Sequence, residues 1–216
     1  SDWSSDVCSS DLKVILSRQS GQWDVVQDVG EMKDDPQAQE KALTQLHAGI
    51  DRASRLVDQL LTLSRLDSLD NLDDVEPITL ADLLQSAVLD IWHPAQQAGI
   101  DIRLNINAPE VTRTGQQLLL SLLVRNLLDN ATRYSPRGSV VDVTLDARGF
   151  TVRDNGPGIS PDALARIGER FYRPPGQDAT GSGLGLSIVK RIAALHGMRV
   201  SLGNAPEGGF EVKVSW

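Results

Sequence analysis

The chain has 216 residues, a formal net charge of −8 at pH 7 and a single cysteine, Cys8. This length accommodates one domain with a full core plus a smaller element, or two small domains, and the lone cysteine excludes an internal disulfide bond and fits a reducing compartment. An acidic chain without a run of ~20 apolar residues has neither the basic face that nucleic acid or an anionic membrane requires nor a membrane span, so we expect it to be soluble and cytoplasmic.

Residues 1–33 show no sustained hydrophobic period. The first dozen are rich in serine and aspartate, which is typical of a disordered or non-native segment. Val14, Ile15 and Leu16 could form a short strand that Gly21 would end. No function is assigned to this region.

A long helix is predicted from Pro36 to Asp67. Asp34 and Asp35 precede Pro36 and place carboxylates at the positive end of the helix. Apolar residues then recur at alternating spacings of three and four, the pattern of a coiled-coil seam: Leu43, Leu46, Ile50, Ala53, Val57 and Leu60, widened by Leu56, Leu61 and Leu63. Such a stripe requires a partner helix, from the N-terminal segment or from a second copy of the chain. We expect a homodimer through residues 36–67 and a stripe that is partly exposed in the single chain.

An acidic segment with turn residues, 69–76, is predicted to link this helix to a second domain over residues 77–216. There Thr79, with Asp82 three residues on, is expected to cap a helix that Gly99 ends. Strict alternation predicts a strand over residues 100–106, and the most apolar helix is predicted over 114–135.

The rest of the second domain alternates between strands and helices. Residues 141–154 predict a hairpin that turns at Arg148 and Gly149 and ends on Asp154. Ser160 is expected to cap a short helix with Pro161 at its first position. Residues 181–197 predict a glycine-rich loop followed by an amphipathic helix, and residues 199–216 a closing hairpin. The order predicts an α/β two-layer sandwich, with helices on one face of a mostly antiparallel sheet.

Polar residues on the apolar helix suggest a phosphate and metal site. Asn126, Asn130 and Arg133 lie four and three residues apart and share one face. Amide oxygens can coordinate Mg²⁺ and a guanidinium can neutralise phosphate, while Tyr134 offers a flat face to a base. The alternative is a helix end that exposes a polar stripe to water.

Three further segments carry weak signals of the same kind. Asp154 ends a strand within DNGPGI, where its carboxylate could accept a hydrogen bond from an exocyclic amine, although a plain Asx turn explains the hexapeptide equally well. In RFYR, Phe171 could anchor a lid and Arg173 could reach phosphate, or Phe171 and Tyr172 could be core residues. GSGLGL, residues 181–186, could bring backbone N–H groups close to phosphate at a helix start, or tighten a turn.

In this order, NLLDNATRY, DNGPGI, RFYR and GSGLGL resemble the N, G1, F and G2 boxes of the histidine-kinase ATP-binding domain in the GHKL superfamily. The resemblance implies the fold of that domain and a catalytic core that binds Mg·ATP and donates the γ-phosphoryl group to a histidine in a two-component phosphorelay. It implies a cognate response regulator as partner, and a chain that is the cytoplasmic part of a bacterial inner-membrane sensor whose membrane segments lie outside this sequence. Residues 34–68 would be a remnant of the helical dimerisation and phosphotransfer domain.

The resemblance also assigns roles to residues. Asn126 and Asn130 would hold Mg²⁺ against the ATP phosphates, with Asn126 near the γ-phosphate, and Arg173 would reach the phosphates from the lid. Arg133 would touch phosphate and Tyr134 the adenine. The remaining implied nucleotide-binding residues are Asp154 at the adenine amine, Gly156, Gly158 and Ile159 at the pocket floor, and Gly181, Ser182, Gly183, Leu184 and Gly185 around the triphosphate.

The chain departs from the family pattern at the phosphate acceptor, a histidine followed by an acidic residue and, a little later, proline. His47, His93 and His196 do not match that pattern. We therefore expect binding of Mg·ATP without autophosphorylation in cis. Two alternatives are an ATP-binding interaction module without kinase activity and a GHKL ATPase of the gyrase or chaperone kind. Asn126 counts against the latter, because it stands where that group uses a glutamate base.

Overall fold

The computed structural model describes residues 36–174 and 181–216. The chain divides into two compact units, Ser1–Val57 and Asp58–Trp216. The interpretations of residues 1–33 lie outside the described residues. That residues 69–76 link two domains stays a prediction. Within the described ranges, no helix combines the length and the apolar character that crossing a membrane takes.

Helix α1 (Pro36–Asp67) has the predicted bounds. Most of the predicted apolar stripe is exposed, with Leu46 50% and Ile50 57% accessible. Leu63 and Leu66, which fall in the second unit, are buried instead. The stripe thus ends before the last turn of the helix, where the side chains enter the core of the second unit.

The second unit contains the remaining elements. In chain order they are β1 (Glu76–Thr79), α2 (Leu80–Ala98), β2 (Asp101–Ile106), β3 (Thr112–Gly115), α3 (Gln117–Tyr134), β4 (Val140–Asp146), β5 (Gly149–Asp154), α4 (Pro161–Leu164), α5 (Gly185–Leu195), β6 (Arg199–Asn204) and β7 (Phe210–Ser215).

Five strands form one sheet in the order β2-β4-β5-β7-β6. β2 and β4 are parallel, and every other neighbouring pair is antiparallel. Alternate residues of β4 are fully buried and the residues between them are not, because one face of the sheet lies under helices. α3 packs between α2 and α5. The predicted two-layer α/β sandwich is confirmed.

Several element boundaries also agree with the predictions. Gly99 ends α2 in the left-handed conformation, with φ of 73°. Ser160 caps α4, its hydroxyl accepting from the Ala163 N–H at 3.4 Å, and Pro161 is the first helical residue. β5 ends on Asp154 as expected, so the strand delivers this carboxylate to the edge of the sheet.

A two-stranded ribbon of β1 and β3 was not predicted. Its antiparallel pairing places Thr79 opposite Thr112, and α3 begins at Gln117 rather than at Thr114. The predicted cap of α2 is wrong in its chemistry: Thr79 occupies the N-cap position, but its side chain makes no capping bond. As the last residue of β1, Thr79 has its backbone direction set by the ribbon instead.

The hairpin turn of β4 and β5 lies one residue earlier than predicted, at Ala147 and Arg148. Gly149 is already paired, with Asp146 on one side and Ser215 on the other. A Cβ on Gly149 would lie 2.4 Å from the Val214 carbonyl oxygen. Glycine is therefore required here for close approach of a neighbouring strand.

Candidate nucleotide-binding site

One cavity of the second unit is lined by most of the predicted site residues. It gathers side chains or backbone of α3, the end of β5, the segment after it, and the loop before α5. The predicted residues along its wall are Asn126, Asn130, Arg133, Tyr134, Asp154, Gly158, Ile159, Arg173, Gly181, Ser182, Gly183 and Gly185. Two predicted residues, Gly156 and Leu184, do not line it: a Cβ on Gly156 would lie 3.0 Å from Asp154 Oδ1, and Leu184 is fully buried.

The two asparagines of α3 face the start of α5. Asn126 is buried, and its Nδ2 donates to the Leu122 carbonyl at 2.8 Å, which orients the amide on its own helix. A Cβ on Gly185, the first residue of α5, would lie 3.2 Å from Asn126 Oδ1 and 3.3 Å from Asn130 Nδ2. The glycine thus lets the helix start lie against both amides. Unpaired N–H groups and the macrodipole make such a start favourable for phosphate.

Asp154 lines the cavity and is fixed by two backbone N–H groups. Its Oδ1 accepts from the Gly156 N–H at 2.9 Å and from the Phe210 N–H at 3.1 Å. The first of these bonds is an Asx turn, so the simpler interpretation of DNGPGI is also correct. Because both bonds fall on Oδ1, Oδ2 remains available as an acceptor, without a hydrogen bond to any described residue. The turn and a ligand-binding role are compatible.

The segment with Phe171 packs against the glycine-rich loop. The Phe171 N–H donates to the Gly183 carbonyl at 3.1 Å, and a Cβ on Gly183 would lie 2.7 Å from the Phe171 carbonyl carbon. Phe171 is 59% exposed, and Tyr172 is half-buried with the Arg166 guanidinium 4.2 Å from its ring centroid. The alternative that both aromatic residues belong to the core is therefore wrong.

The end of α1 also reaches these two segments. Ser182 Oγ donates to Gln59 Oε1 at 2.5 Å, and Gln59 lines the cavity. Arg170 Nη2 lies 2.9 and 2.8 Å from the two carboxylate oxygens of Asp67. Nothing in the sequence pattern distinguished Gln59, because its position on α1 resembles any other polar position of that helix.

His196 is buried at the end of α5 and belongs to the packing. Its Nδ1 donates to the Ile192 carbonyl at 2.8 Å, and its Nε2 accepts from the Gln116 N–H at 3.1 Å. This pair of bonds requires the neutral ring. Burial lowers the pKa of His196 below 6.5, and the bond to Ile192 offsets part of that shift. The expectation that this histidine is structural agrees with its contacts.

A sheet covered by helices on one face, with an aspartate at a strand end and two asparagines facing a glycine-rich helix start, defines an ATPase domain of the GHKL class. Residues 115–216 match the family described as histidine kinase-, DNA gyrase B-, and HSP90-like ATPase. The sensor protein QseC of Salmonella typhimurium is 78% identical over 183 residues, which are 85% of this chain and 41% of that protein. The sensor protein kinase PmrB of Pseudomonas aeruginosa is 39% identical over 187 residues, 84% of this chain and 39% of that protein.

Two solved structures also resemble this chain. The cytoplasmic segment of histidine kinase QseC is 65% identical and matches with a TM-score of 0.58, over 77% of this chain and 93% of that one. Full-length ShkA in complex with AMPPNP is 29% identical, with a TM-score of 0.69, over 82% of this chain and 38% of that one. The chain therefore belongs to the sensor histidine kinases, with QseC proteins among its relatives. The predicted family and its GHKL fold are confirmed. The chain spans about two fifths (41%) of the length of the curated QseC relatives.

Proposed function

We propose that this chain binds Mg·ATP in the cavity and that its catalytic domain donates the γ-phosphoryl group to a histidine in a two-component phosphorelay. The observation that carries the proposal is the convergence of Asn126, Asn130 and Asp154 on one cavity that opens at the start of α5. The matched ATPase family and the AMPPNP complex of ShkA support the nucleotide.

The adenine end of the cavity is built around Asp154. With Oδ1 engaged by two backbone N–H groups, Oδ2 can accept from the exocyclic amine of adenine. Tyr134 is half-buried in the same wall and offers its ring face, while Gly158 and Ile159 provide backbone at the floor. This arrangement orients the base without a charged donor.

The phosphate end suits a triphosphate with Mg²⁺. The described residues contain no cluster of three His, Cys, Asp or Glu side chains that could hold a metal ion. A magnesium ion there would use the amide oxygens of Asn126 and Asn130 together with phosphate oxygens and waters, which matches its preference for a partly hydrated oxygen shell. Bound there, it would neutralise charge on the transferring group. Arg133 and Arg173 line the same wall and supply positive charge.

We propose further that none of the three histidines of this sequence is the acceptor, so that transfer by this chain requires an acceptor histidine supplied in trans. His47 is exposed on α1, but Ala48 and Gly49 follow it and its Nδ1 bonds the Leu43 carbonyl of its own helix at 2.8 Å. His93 bonds Gln97 at 3.1 Å, and His196 is buried. The exposed stripe of α1 supports homodimer formation, and a cognate response regulator is the proposed next acceptor in the relay.

Isothermal titration with AMPPNP, with and without Mg²⁺, tests the proposed site. We expect binding that strengthens with Mg²⁺, and its absence would overturn the proposal. Incubation with γ-labelled ATP should then leave this chain unlabelled and label an added protein that carries an acceptor-histidine helix of the family. Acid-labile label on this chain alone would contradict the proposed transfer in trans, and an unlabelled acceptor would contradict kinase activity.

A further inference from the structure

The hairpin of β6 and β7 makes hydrogen bonds to the DNGPGI segment, residues 154–159. The hairpin itself contains none of the four motifs. Asn204, the last residue of β6, donates from Nδ2 to the Ile159 carbonyl at 2.6 Å and accepts on Oδ1 from the Ile159 N–H at 2.8 Å. A single amide thus satisfies both backbone groups of one residue, which fixes that residue in place and in orientation. A Cβ on Gly158 would lie 2.9 Å from Asn204 Oδ1, so glycine allows this approach.

The turn of the same hairpin fixes Asp154. The Phe210 N–H, at the start of β7, is one of the two donors to Asp154 Oδ1. Beside it, a Cβ on Gly209 would fall 1.8 Å from the Asp154 carbonyl oxygen. A side chain at Gly209 therefore cannot be accommodated without moving the end of β5. The position of the Asp154 carboxylate depends on this backbone-to-backbone packing.

We propose that Asn204 and Gly209 are positioning residues of the adenine site. They place Ile159 and Asp154 so that Asp154 Oδ2 meets the exocyclic amine of the base. The inference rests on the proposed function, because it concerns how the same cavity selects adenine. Groups that fix the placement of a ligand-binding side chain act on specificity, since a hydrogen bond weakens steeply when its geometry is lost.

The two residues differ in how they can be tested. Asn204 is exposed, so its truncation leaves no buried cavity and should leave the fold intact. Each lost hydrogen bond of this kind changes an equilibrium by roughly three- to tenfold. Gly209→Ala forces a steric shift at Asp154 and is expected to have the larger effect.

The experiment compares ADP with IDP, which carries a carbonyl oxygen in place of the exocyclic amine. Titration in Mg²⁺ gives both dissociation constants for the wild-type chain and for Asn204→Ala, Asn204→Asp and Gly209→Ala. We expect the wild type to prefer ADP, and each variant to lose ADP affinity by roughly three- to tenfold or more, with IDP affinity changing little. Asn204→Asp keeps the acceptor for the Ile159 N–H but sets a carboxylate against the Ile159 carbonyl, so it should behave like Asn204→Ala.

Gly208→Ala is the matched control. Gly208 has φ of 97° and Gly209 of 88°, so alanine is strained at both positions, but a Cβ on Gly208 would meet no described atom within 4 Å. The control should keep the preference for ADP. Should Gly209→Ala fail to fold, the two Asn204 variants decide. Wild-type preference in those variants, or equal weakening of ADP and IDP, would overturn the inference; a wild-type chain that binds neither nucleotide overturns the proposed function as well.

Discussion

Replacing Asp154 by asparagine changes a single heavy atom in the wall of the cavity. The oxygen that accepts from the Gly156 and Phe210 N–H groups must remain an oxygen, because an amide NH₂ there would face two donors. The NH₂ group of asparagine therefore takes the place of Oδ2. The substitution keeps the local fold and turns the group that faces adenine from an acceptor into a donor.

The magnitude follows from the bond that is lost. A hydrogen bond to a charged acceptor contributes about 1.5–3 kcal/mol, and each 1.4 kcal/mol is tenfold in affinity, so ADP binding should weaken roughly 10- to 100-fold. IDP presents an acceptor oxygen at the same place, and Asp154→Asn should bind it better than the wild type does. The preference for ADP over IDP is therefore expected to invert.

Isothermal titration of ADP and IDP in Mg²⁺ measures this inversion. Asp146→Asn is the control, since Asp146 is an exposed carboxylate at the end of β4 whose partner is the Asn107 side chain at 2.8 Å. It should bind both nucleotides as the wild type does. If Asp154→Asn retains wild-type affinity and preference, Asp154 does not face the base, and the orientation of the nucleotide in the cavity is wrong.

Two further outcomes are expected. Because burial lowers the pKa of His196 in the fold below its unfolded value of 6.5, its contribution to stability is complete above about pH 6.5 and is lost as the pH falls below it. Urea midpoints at about pH 7.5 and 5.5 should diverge more for the wild type than for His196→Gln, and equal divergence would contradict this. Leu46→Gln with Ile50→Gln should raise the dissociation constant of a dimer at least tenfold, at about 1 kcal/mol or more per side chain, whereas Thr44→Gln should not. Light scattering over a concentration series measures the dissociation constant of the dimer. If the variant with Leu46→Gln and Ile50→Gln dimerises as the wild type does, the interface lies elsewhere.

The parts of the fold that could be predicted are those that a local period encodes. The bounds of α1 follow from Pro36 and from the three-and-four spacing of its leucines, and strict alternation predicted β4 and β5. Gly99 ends α2 and Ser160 caps the start of α4, and each acts only on the adjoining turn of its helix. The neighbouring sequence therefore suffices to predict both helix ends.

The ribbon of β1 and β3 could not be predicted, because its strands are short and pair residues more than thirty positions apart in the sequence. Glu76, for example, pairs with Gly115. Four residues carry too few alternations to predict a strand. The residue type of Thr79 therefore predicts a helix cap, although the ribbon decides its backbone. The residue type of Gly149 likewise predicts a turn, whereas the close approach of Val214 from another strand explains the glycine there.

The candidate site likewise contains residues that local motifs predict and residues that they do not. Asn126, Asn130 and Gly185 could be found because each sits in a local motif, and the structure places them in contact across two helices. Leu184 lies in the same glycine-rich motif yet is fully buried, because the motif defines the path of the backbone and not the direction of each side chain. The contacts of Gln59 with Ser182 and of Asn204 with Ile159 span 123 and 45 residues. No pattern along the chain encodes such pairs. The motifs themselves can be predicted from the sequence, but the residues that orient them are identified only from the folded structure.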